Sequence, residues 1–389
     1  MIPPRRNADV RLRHLAAWAF ICLAPLSLHA AEQAIKLDPD QPYAAERSNP
    51  VVYDVDYSVI VTAPYKTKLL RVWMPLPPSD FGQEVTELET TTFPQTVEPQ
   101  IGSEELFQNR FAYFEFPSPQ GAQIIRRRFQ VRVWELRWRI DPAKLVAPST
   151  WPESFAKYRR NESKAVVIGD RHQTLLAQLL PKRTNAANDL ANVMDYVRRE
   201  FHYDHGNASL RADSEHLFNA GGGHCSDYHS FCAAVGRAMG YPTRMTYGLN
   251  TFPKSSPSHC KLEAYLPPYG WVSFDVSETQ KMSQAITADA SLDESMKKRY
   301  LAAAEQRLES GFRDNTWFLQ TRGSDYELAP KASRRVPVVR TIYAEADGKP
   351  LRDPDPSNPA ETAYSWMTAL RMTPDHAVPY PFTDVKTLD

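Results

Sequence analysis

The chain has 389 residues, and its 46 basic side chains are balanced by 46 acidic ones, with 42% of the residues hydrophobic. This balance gives no reason to expect a nucleic acid or an anionic membrane as partner. The length suggests two domains, each large enough to bury a core of its own.

The first 31 residues have the three-part pattern of a secretory signal peptide. Four arginines within residues 1–13 precede the apolar run LAAWAFICLAPLSLHAA (15–31), which ends in small residues. This run is shorter than the ~20 residues that span a bilayer, and it contains Pro25, so a membrane anchor is the less favoured interpretation. We expect cleavage near Ala30 or Ala31 and a periplasmic or secreted protein without stable membrane insertion.

Residues 32–50 are polar and contain prolines, which indicates a linker. From Tyr53 to Val61 hydrophobic residues alternate with polar neighbours, which is typical of a half-buried strand. Further strand-like runs are LLRVWMPLP (69–77), FAYFEF (111–116) and RRRFQVRVWELRWRI (126–140). The last run shifts its phase after Val133, which predicts a β-bulge. Because no convincing helix interrupts these runs, we predict an N-terminal antiparallel β-sandwich domain over 51–145.

Helical patterns dominate after residue 165. Candidate helices cover 170–180, 188–201 and 213–220, and a further helix starts at Cys225 and ends before Pro242. Strand-like segments follow, namely TRMTYGL, KLEAYLP and WVSFDV. Helices followed by several strands predict an α+β domain over 165–350.

Two later segments complete the predicted organisation. The charged segment 292–310 has a helical pattern, and we expect a surface helix there, with a lid over a cleft as the alternative. Residues 351–389 are rich in proline and are predicted to form a C-terminal extension that wraps the surface. Within this extension, 362–372 is predicted to be a short helix.

Three cysteines lie outside the leader, Cys225, Cys232 and Cys260, and an odd number argues against a disulfide framework. Cys232 is expected to be a buried thiol, and Cys260 a packed strand residue. Together with nearby histidines they could form a zinc site. However, apart from the His224–His229 spacing, the usual pairs of ligands are missing. We therefore predict no metal and no cofactor.

Cys225 follows three glycines and begins a predicted amphipathic helix. A helix N-terminus favours an anion, so it can lower the pKa of a thiol from its usual value of ~8.5. A histidine within hydrogen-bond reach would activate the thiol further, and a carboxylate would orient that histidine. His259 and Asp275 are the candidates, because they lie on consecutive strand-like runs joined by the turn PPYG.

The sequence around these residues resembles the transglutaminase-like superfamily in two blocks. The first has the pattern Gly-x-Cys-x-Asp-aromatic and then Arg-Ala-x-Gly-x-Pro-x-Arg, met by Gly223, Cys225, Asp227, Tyr228, Arg237, Ala238, Gly240, Pro242 and Arg244. The second has the pattern His-x-x-x-Glu-x-Tyr and then Gly-Trp-Val-x-x-Asp, met by His259, Glu263, Tyr265, Gly270, Trp271, Val272 and Asp275. The similarity in order and spacing extends from 185 to 350.

The resemblance implies a papain-like fold with a Cys-His-Asp triad. Cys225 would be the nucleophile, His259 the general base and acid, and Asp275 the residue that orients His259. The backbone N–H of Cys225 and the side chain of Tyr203 would stabilise the oxyanion. One departure is Lys261, which stands where bacterial members commonly have Trp. This departure is expected to change the cleft wall and the substrate class but not the triad.

We therefore expect an exported thiol enzyme that acts on amide or peptide bonds through an acyl-enzyme intermediate. Water as acceptor would make it a peptidase or amidase, and an amine would make it a transglutaminase; the sequence leaves both open. A protein or peptide of the cell envelope is the expected substrate, and the β-sandwich would orient this substrate or dock a partner. The alternatives are a catalytically silent peptide-binding module of the same fold and a metal-binding protein.

Overall fold

A computed structural model describes residues 36–209, 212–252, 257–353 and 365–388 of the protein. The predicted signal peptide, residues 1–31, lies outside these ranges. Within them, every helix is too short or too polar to cross a bilayer.

The N-terminal part of the chain forms long antiparallel strands. These strands are β1 (Glu46–Thr62), β2 (Leu69–Leu76), β3 (Gln83–Phe93), β4 (Gln100–Ser103), β5 (Arg110–Pro117) and β6 (Ala122–Arg137). The predicted alternation is confirmed in β1, where every second residue from Tyr53 to Val61 is buried. These residues pack against buried residues of β2 and β5, such as Val72 and Phe114, so two sheets face each other around one core as in a β-sandwich.

The rest of the chain supplies six helices within the described ranges and a second group of strands. The helices are α1 (Asp170–Leu179), α2 (Ala186–Glu200), α3 (His216–Ala220), α4 (Cys225–Ala238), α5 (Val276–Ala288) and α6 (Glu294–Ser310). The strands are β7 (His202–Tyr203), β8 (Gly222–Gly223), β9 (Thr243–Asn250), β10 (Ser258–Tyr265), β11 (Trp271–Phe274), β12 (Phe312–Arg313), β13 (Trp317–Arg322), β14 (Tyr343–Ala346), β15 (Lys349–Pro350) and β16 (Trp366–Pro374). Short 3₁₀ turns lie at Pro142–Lys144, Glu153–Tyr158 and Val385–Leu388.

The centre of the α+β part is helix α4, which packs against β9 and β10. These strands belong to an antiparallel sheet with the order β11-β10-β9-β13. Every residue from Cys225 to Arg237 is buried, because other helices and the sheet surround α4. The predicted α+β class with a preceding sandwich is thus confirmed, and α4 fixes the position of Cys225.

Strands from the end of the chain complete the sandwich. One sheet has the order β12-β6-β1-β16, with β3 also on β6, and the other has the order β15-β14-β2-β5-β4. The predicted boundaries assign β14 to the 165–350 domain and β16 to the 351–389 extension, whereas both pair with strands of the sandwich. Leu37–Asp389 accordingly forms one compact unit.

The predicted helix over 362–372 is wrong in its described part, because β16 is a strand paired with β1. Trp366 and Leu370 have the i, i+4 spacing of a helix face, which explains the prediction. The long strand β1 has one side paired with β6, and its other side offers unpaired backbone groups that a second strand can satisfy.

The predicted linker over 32–50 also differs from the structure in its described part. β1 begins at Glu46 rather than at 51, and the residues before it are fastened to the α+β part. The Tyr43 hydroxyl donates to Glu263 Oε1 at 2.7 Å, and Trp271 Nε1 donates to the carbonyl of Pro39 at 2.8 Å. Buried Tyr43 and the backbone of Pro39 thus hold a segment whose composition is otherwise polar.

The β-bulge predicted after Val133 lies at this position, but the extra residue is in the partner strand. Ser48 of β1 lies opposite Glu135, and Val51 lies opposite Val133. Two residues of β1 therefore face the single residue Trp134. The shift lets β6 change its buried side without losing its pairing to β1.

We predict that the sandwich and the α+β part do not fold separately. A chain restricted to residues 146–389 removes the partners of β12, β14 and β16, so we expect no cooperative thermal transition by circular dichroism. A chain restricted to residues 37–389 is the control and should unfold in one transition. A cooperative transition in the shorter chain would contradict this interdependence.

Candidate active site

The glycine run before Cys225 shapes the start of helix α4. Gly221 ends α3 with a φ of 69°, a left-handed conformation that glycine adopts without strain. A side chain on Gly223 would place its Cβ 2.8 Å from Asp227 Oδ2. The absence of this side chain lets the Asp227 carboxylate reach back to the backbone N–H of His224 at 3.2 Å. Cys225 is thereby held as the first residue of the helix.

Asp227 and His224 form a buried ion pair beside Cys225. His224 Nδ1 lies 3.0 Å from Asp227 Oδ2. Burial alone would lower the pKa of His224, but the Asp227 carboxylate and the Cys225 thiolate raise it overall. The positive charge of His224 is one of the effects that lower the pKa of Cys225.

His259 and Asp275 meet as the turn between β10 and β11 predicts. His259 Nε2 donates to Asp275 Oδ2 at 2.7 Å. The other oxygen of Asp275 accepts the backbone N–H of Glu278 at 3.0 Å, since Asp275 is the N-cap of α5. One carboxylate therefore caps a helix and orients an imidazole, and the cap fixes its position.

The protonation states follow from these contacts. A hydrogen bond from Cys260 is the largest effect on Cys225, and with the charge and hydrogen bond of His259 it lowers the pKa of Cys225 well below its usual value, against the effect of burial. Burial lowers the pKa of His259, but Asp275 and the Cys225 thiolate raise it to about 9. Asp275 has a pKa well below its usual value, because His259 and Lys261 more than offset its burial. The arrangement therefore favours a thiolate, an imidazolium and a carboxylate in a row.

Cys260 and His229 have contacts that the sequence analysis missed. His229 Nε2 accepts the backbone N–H of Val276 at 3.0 Å, and burial lowers the pKa of His229 to about 4. The neutral ring therefore carries its proton on Nδ1, which lies 3.6 Å from Cys260 Sγ. Burial raises the pKa of Cys260, so Cys260 keeps its proton and acts as a hydrogen-bond donor toward the Cys225 sulfur. Cys260 lies on a strand as predicted, but it also interacts with Cys225.

Tyr203 lies next to the start of α4. It is on β7, which runs parallel to β8 and places Tyr203 opposite Gly223. Burial, and then the negative charge of Cys225, raise the pKa of Tyr203. The phenol is therefore close enough to Cys225 to interact electrostatically with the thiolate. The Lys281 ammonium lies 4.5 Å from the centre of the Tyr203 ring. The position is compatible with an oxyanion donor, and that role stays a prediction.

Lys261 lies elsewhere than the sequence analysis expected. Instead of changing only the cleft wall, it is buried beside the triad, with Nζ 2.6 Å from Asp275 Oδ2. The reason is the period of a strand: His259 and Lys261 are two residues apart on β10, so their side chains leave the same face. Lys261 therefore acts on the carboxylate of Asp275, in a place that the prediction of a changed cleft wall did not include.

The remaining candidates lie away from the sulfur of Cys225 or have structural contacts. Cys232 is buried within α4, where burial raises its pKa. Glu263 accepts from Arg244 Nε at 2.6 Å. The three cysteines of the described residues form no disulfide. In the same part of the chain, no group of three or more His, Cys, Asp or Glu side chains is arranged to hold a metal ion.

The charged helix α6 packs against α5 along a small apolar cluster that includes Met282, Ile286 and Tyr300. It begins at Glu294 after an N-cap at Asp293 and ends at Ser310, so the predicted helix is confirmed. Most of its remaining side chains are at least partly exposed, as in a surface helix.

Comparison with known proteins identifies the class of this domain. Residues 173–276 match the model of the transglutaminase-like superfamily, so the chain contains a domain of this superfamily. The match includes Cys225, His259 and Asp275. No curated protein matches the chain in sequence.

The solved structures that are similar to the chain include two that cover most of it. A candidate cysteine protease from Cytophaga hutchinsonii is 12% identical with a TM-score of 0.58, over 87% of this chain and 96% of that protein. At this identity it shows a shared fold over both the sandwich and the α+β part. The periplasmic domain of TgpA from Pseudomonas aeruginosa is 17% identical with a TM-score of 0.34, over 65% of this chain and 97% of that domain.

We predict that Cys260→Ala raises the pKa of Cys225 by about one unit. The substitution removes a hydrogen bond to a charged sulfur, and such bonds contribute ~1.5–3 kcal/mol, where ~1.4 kcal/mol corresponds to one unit. The measurement is the rate of alkylation of Cys225 by iodoacetamide as a function of pH, with the site of modification checked by mass spectrometry.

Cys232→Ala is the matched control, because it removes a buried thiol of the same helix that lies seven residues beyond the nucleophile. Its alkylation midpoint should equal that of the unmodified sequence. Equal midpoints for Cys260→Ala and Cys232→Ala would show that Cys260 does not act on the nucleophile.

Proposed function

We propose that this protein is an exported thiol enzyme that acts on amide or peptide bonds through the triad Cys225, His259 and Asp275. The observation that supports this proposal is the buried row formed by the three side chains. In it, Asp275 accepts from His259 at 2.7 Å, and His259 lies close enough to Cys225 to lower the pKa of the thiol while its own pKa is raised. A thiolate paired with an imidazolium is a nucleophile that needs no further activation.

The first half of the reaction forms an acyl-enzyme. The Cys225 thiolate attacks the carbonyl carbon of the amide, and the negative charge moves to the carbonyl oxygen. The backbone N–H of Cys225, at the start of α4, and the hydroxyl of Tyr203 would stabilise this oxyanion. His259 gives its proton to the nitrogen, the C–N bond breaks, and an amine leaves while a thioester remains on Cys225.

The second half returns the enzyme to its starting state. Neutral His259 takes a proton from water or from an acceptor amine, which attacks the thioester carbonyl and displaces the Cys225 thiolate. Asp275 remains ionised throughout and keeps the His259 proton that faces it in place. Water gives hydrolysis and an amine gives transamidation, so the same three side chains serve a peptidase, an amidase or a transglutaminase.

The surroundings of the reaction are part of the proposal. The arginine-rich start and the apolar run of residues 15–31 support export to the periplasm or beyond. A protein or peptide of the cell envelope is therefore the substrate that we propose, with no cofactor. The alternative is a silent peptide-binding module of the same fold, which would have no use for an ionised nucleophile.

We predict that p-nitrophenyl acetate acylates Cys225. This activated ester needs no recognition of a peptide, so it reports on the nucleophile alone. We expect a rapid release of nitrophenolate that matches the enzyme concentration, and an acetyl group on Cys225 by mass spectrometry. Adding an amine, such as glycine methyl ester, measures the partition between hydrolysis and transamidation.

The variants of this experiment separate an enzyme from a binding module. Cys225→Ala should abolish acylation, and Cys232→Ala should not change it. His259→Ala should slow it at pH 6 by about tenfold or more, because the pKa of Cys225 then moves back toward ~8.5 and less of the thiol is ionised. Acylation that proceeds equally in His259→Ala, or modifies other residues, would support the silent module.

A further inference from the structure

A buried lysine shares the triad carboxylate with the histidine. Asp275 Oδ2 accepts from His259 Nε2 at 2.7 Å and from Lys261 Nζ at 2.6 Å. The side chains of both Lys261 and Asp275 are only 1% exposed. Two cations on one carboxylate oxygen are not required by a Cys-His-Asp mechanism, so the contact needs its own explanation.

A second carboxylate holds the lysine in this position. Lys261 Nζ lies 2.8 Å from Asp314 Oδ1, and the Asp314 carboxylate accepts from the Thr316 hydroxyl at 2.6 Å. The centres of the Trp317 and Phe382 rings lie 5.2 and 5.3 Å from Nζ. A buried ammonium is tolerated when it is paired, and this pairing, together with the aromatic rings, keeps it charged.

We propose that Lys261 is a positioning residue, which holds the Asp275 carboxylate against His259 and cancels part of its negative charge. This inference rests on the proposed function. A carboxylate shared with a lysine stabilises the imidazolium less than an unshared one. His259 therefore forms the ion pair with Cys225 but can still release its proton to the leaving amine, as a general acid must.

The charged surroundings of His259 come from several elements. The titratable groups around the His259–Asp275 pair are Cys225 and His229 of α4, Cys260 and Lys261 of β10, Glu278 of α5, Tyr203 of β7, Asp314 after β12 and Arg307 of α6. Of these groups, Lys261 is the cation that shares Asp275 Oδ2 with His259. Its removal should therefore have a large effect on the His259–Asp275 pair.

The test compares two substitutions with opposite expected signs. Lys261→Met removes the cation in an unbranched side chain of similar length, so the pKa of His259 should rise by about one unit, a tenfold change in its protonation. Asp314→Asn removes the second carboxylate that pairs with Lys261. The charge of Lys261 then acts on Asp275 alone, so the pKa of His259 should fall. The measurement is an NMR titration of the His259 imidazole, assigned with His259→Gln.

Two further variants show whether any effect is merely structural. Lys261→Arg keeps the charge and should restore a titration close to that of the natural sequence. Arg244→Met removes a buried cation from the neighbouring strand β9, where it pairs with Glu263 at 2.6 Å. It should lower the melting temperature without moving the pKa of His259.

The outcomes are distinguishable. An unchanged His259 titration in Lys261→Met, or shifts of the same sign in Lys261→Met and Asp314→Asn, would overturn the inference. Should Lys261→Met not fold, Asp314→Asn decides alone, because a lowered pKa supports the role and an unchanged one contradicts it. An ordinary thiol at Cys225 in the natural sequence would instead refute the proposed function itself.

Discussion

The structure of the site depends on one carboxylate, that of Asp275, which is buried away from solvent. Asp275 is 2% exposed, and an ionised carboxylate without compensation would destabilise the fold by several kcal/mol. The N-terminus of α5, the His259 imidazole and the Lys261 ammonium provide that compensation. Because these groups belong to different elements, the requirement to hydrogen-bond one carboxylate brings those elements together. The geometry that the proposed catalysis needs is then a consequence of the geometry needed to bury a charge.

The sandwich takes part in this arrangement through β12. Phe312 and Arg313 pair with the end of β6, and the next residue is Asp314, the second carboxylate on Lys261. Buried Gln83 of β3 also accepts from Arg313 and donates to the carbonyl of Leu319, at 2.7 and 2.9 Å. The sandwich therefore helps to position Asp314 and, through it, Lys261 and Asp275, in addition to any role in docking a substrate. A change in the sandwich edge would reach the triad through Asp314 and Lys261.

The sequence predicted the features that short-range patterns encode. Alternation identified β1, helical spacing identified α4, and two blocks of motif pointed to Cys225, His259 and Asp275, which the structure brings together. It failed where partners lie far apart in the chain. The segment of β16 was predicted to be a helix, because the local sequence does not show that it pairs with the distant strand β1. Lys261 drew notice as a departure, and its two-residue spacing from His259 could have placed it beside the triad. Asp314 carries no local signal, since its position depends on β6.

The central claim is that Cys225 and His259 exist as a thiolate–imidazolium pair. The pair is lost as the pH falls through the lowered pKa of Cys225, and again as it rises through about 9, where His259 gives up its proton. The most direct measurement is the ultraviolet absorbance of the thiolate against pH, taken as the difference between the natural sequence and Cys225→Ser, and repeated in His259→Ala. The account predicts a thiolate that persists well below the usual ~8.5 and a return toward that value without His259. A single step near ~8.5 in both proteins would contradict it.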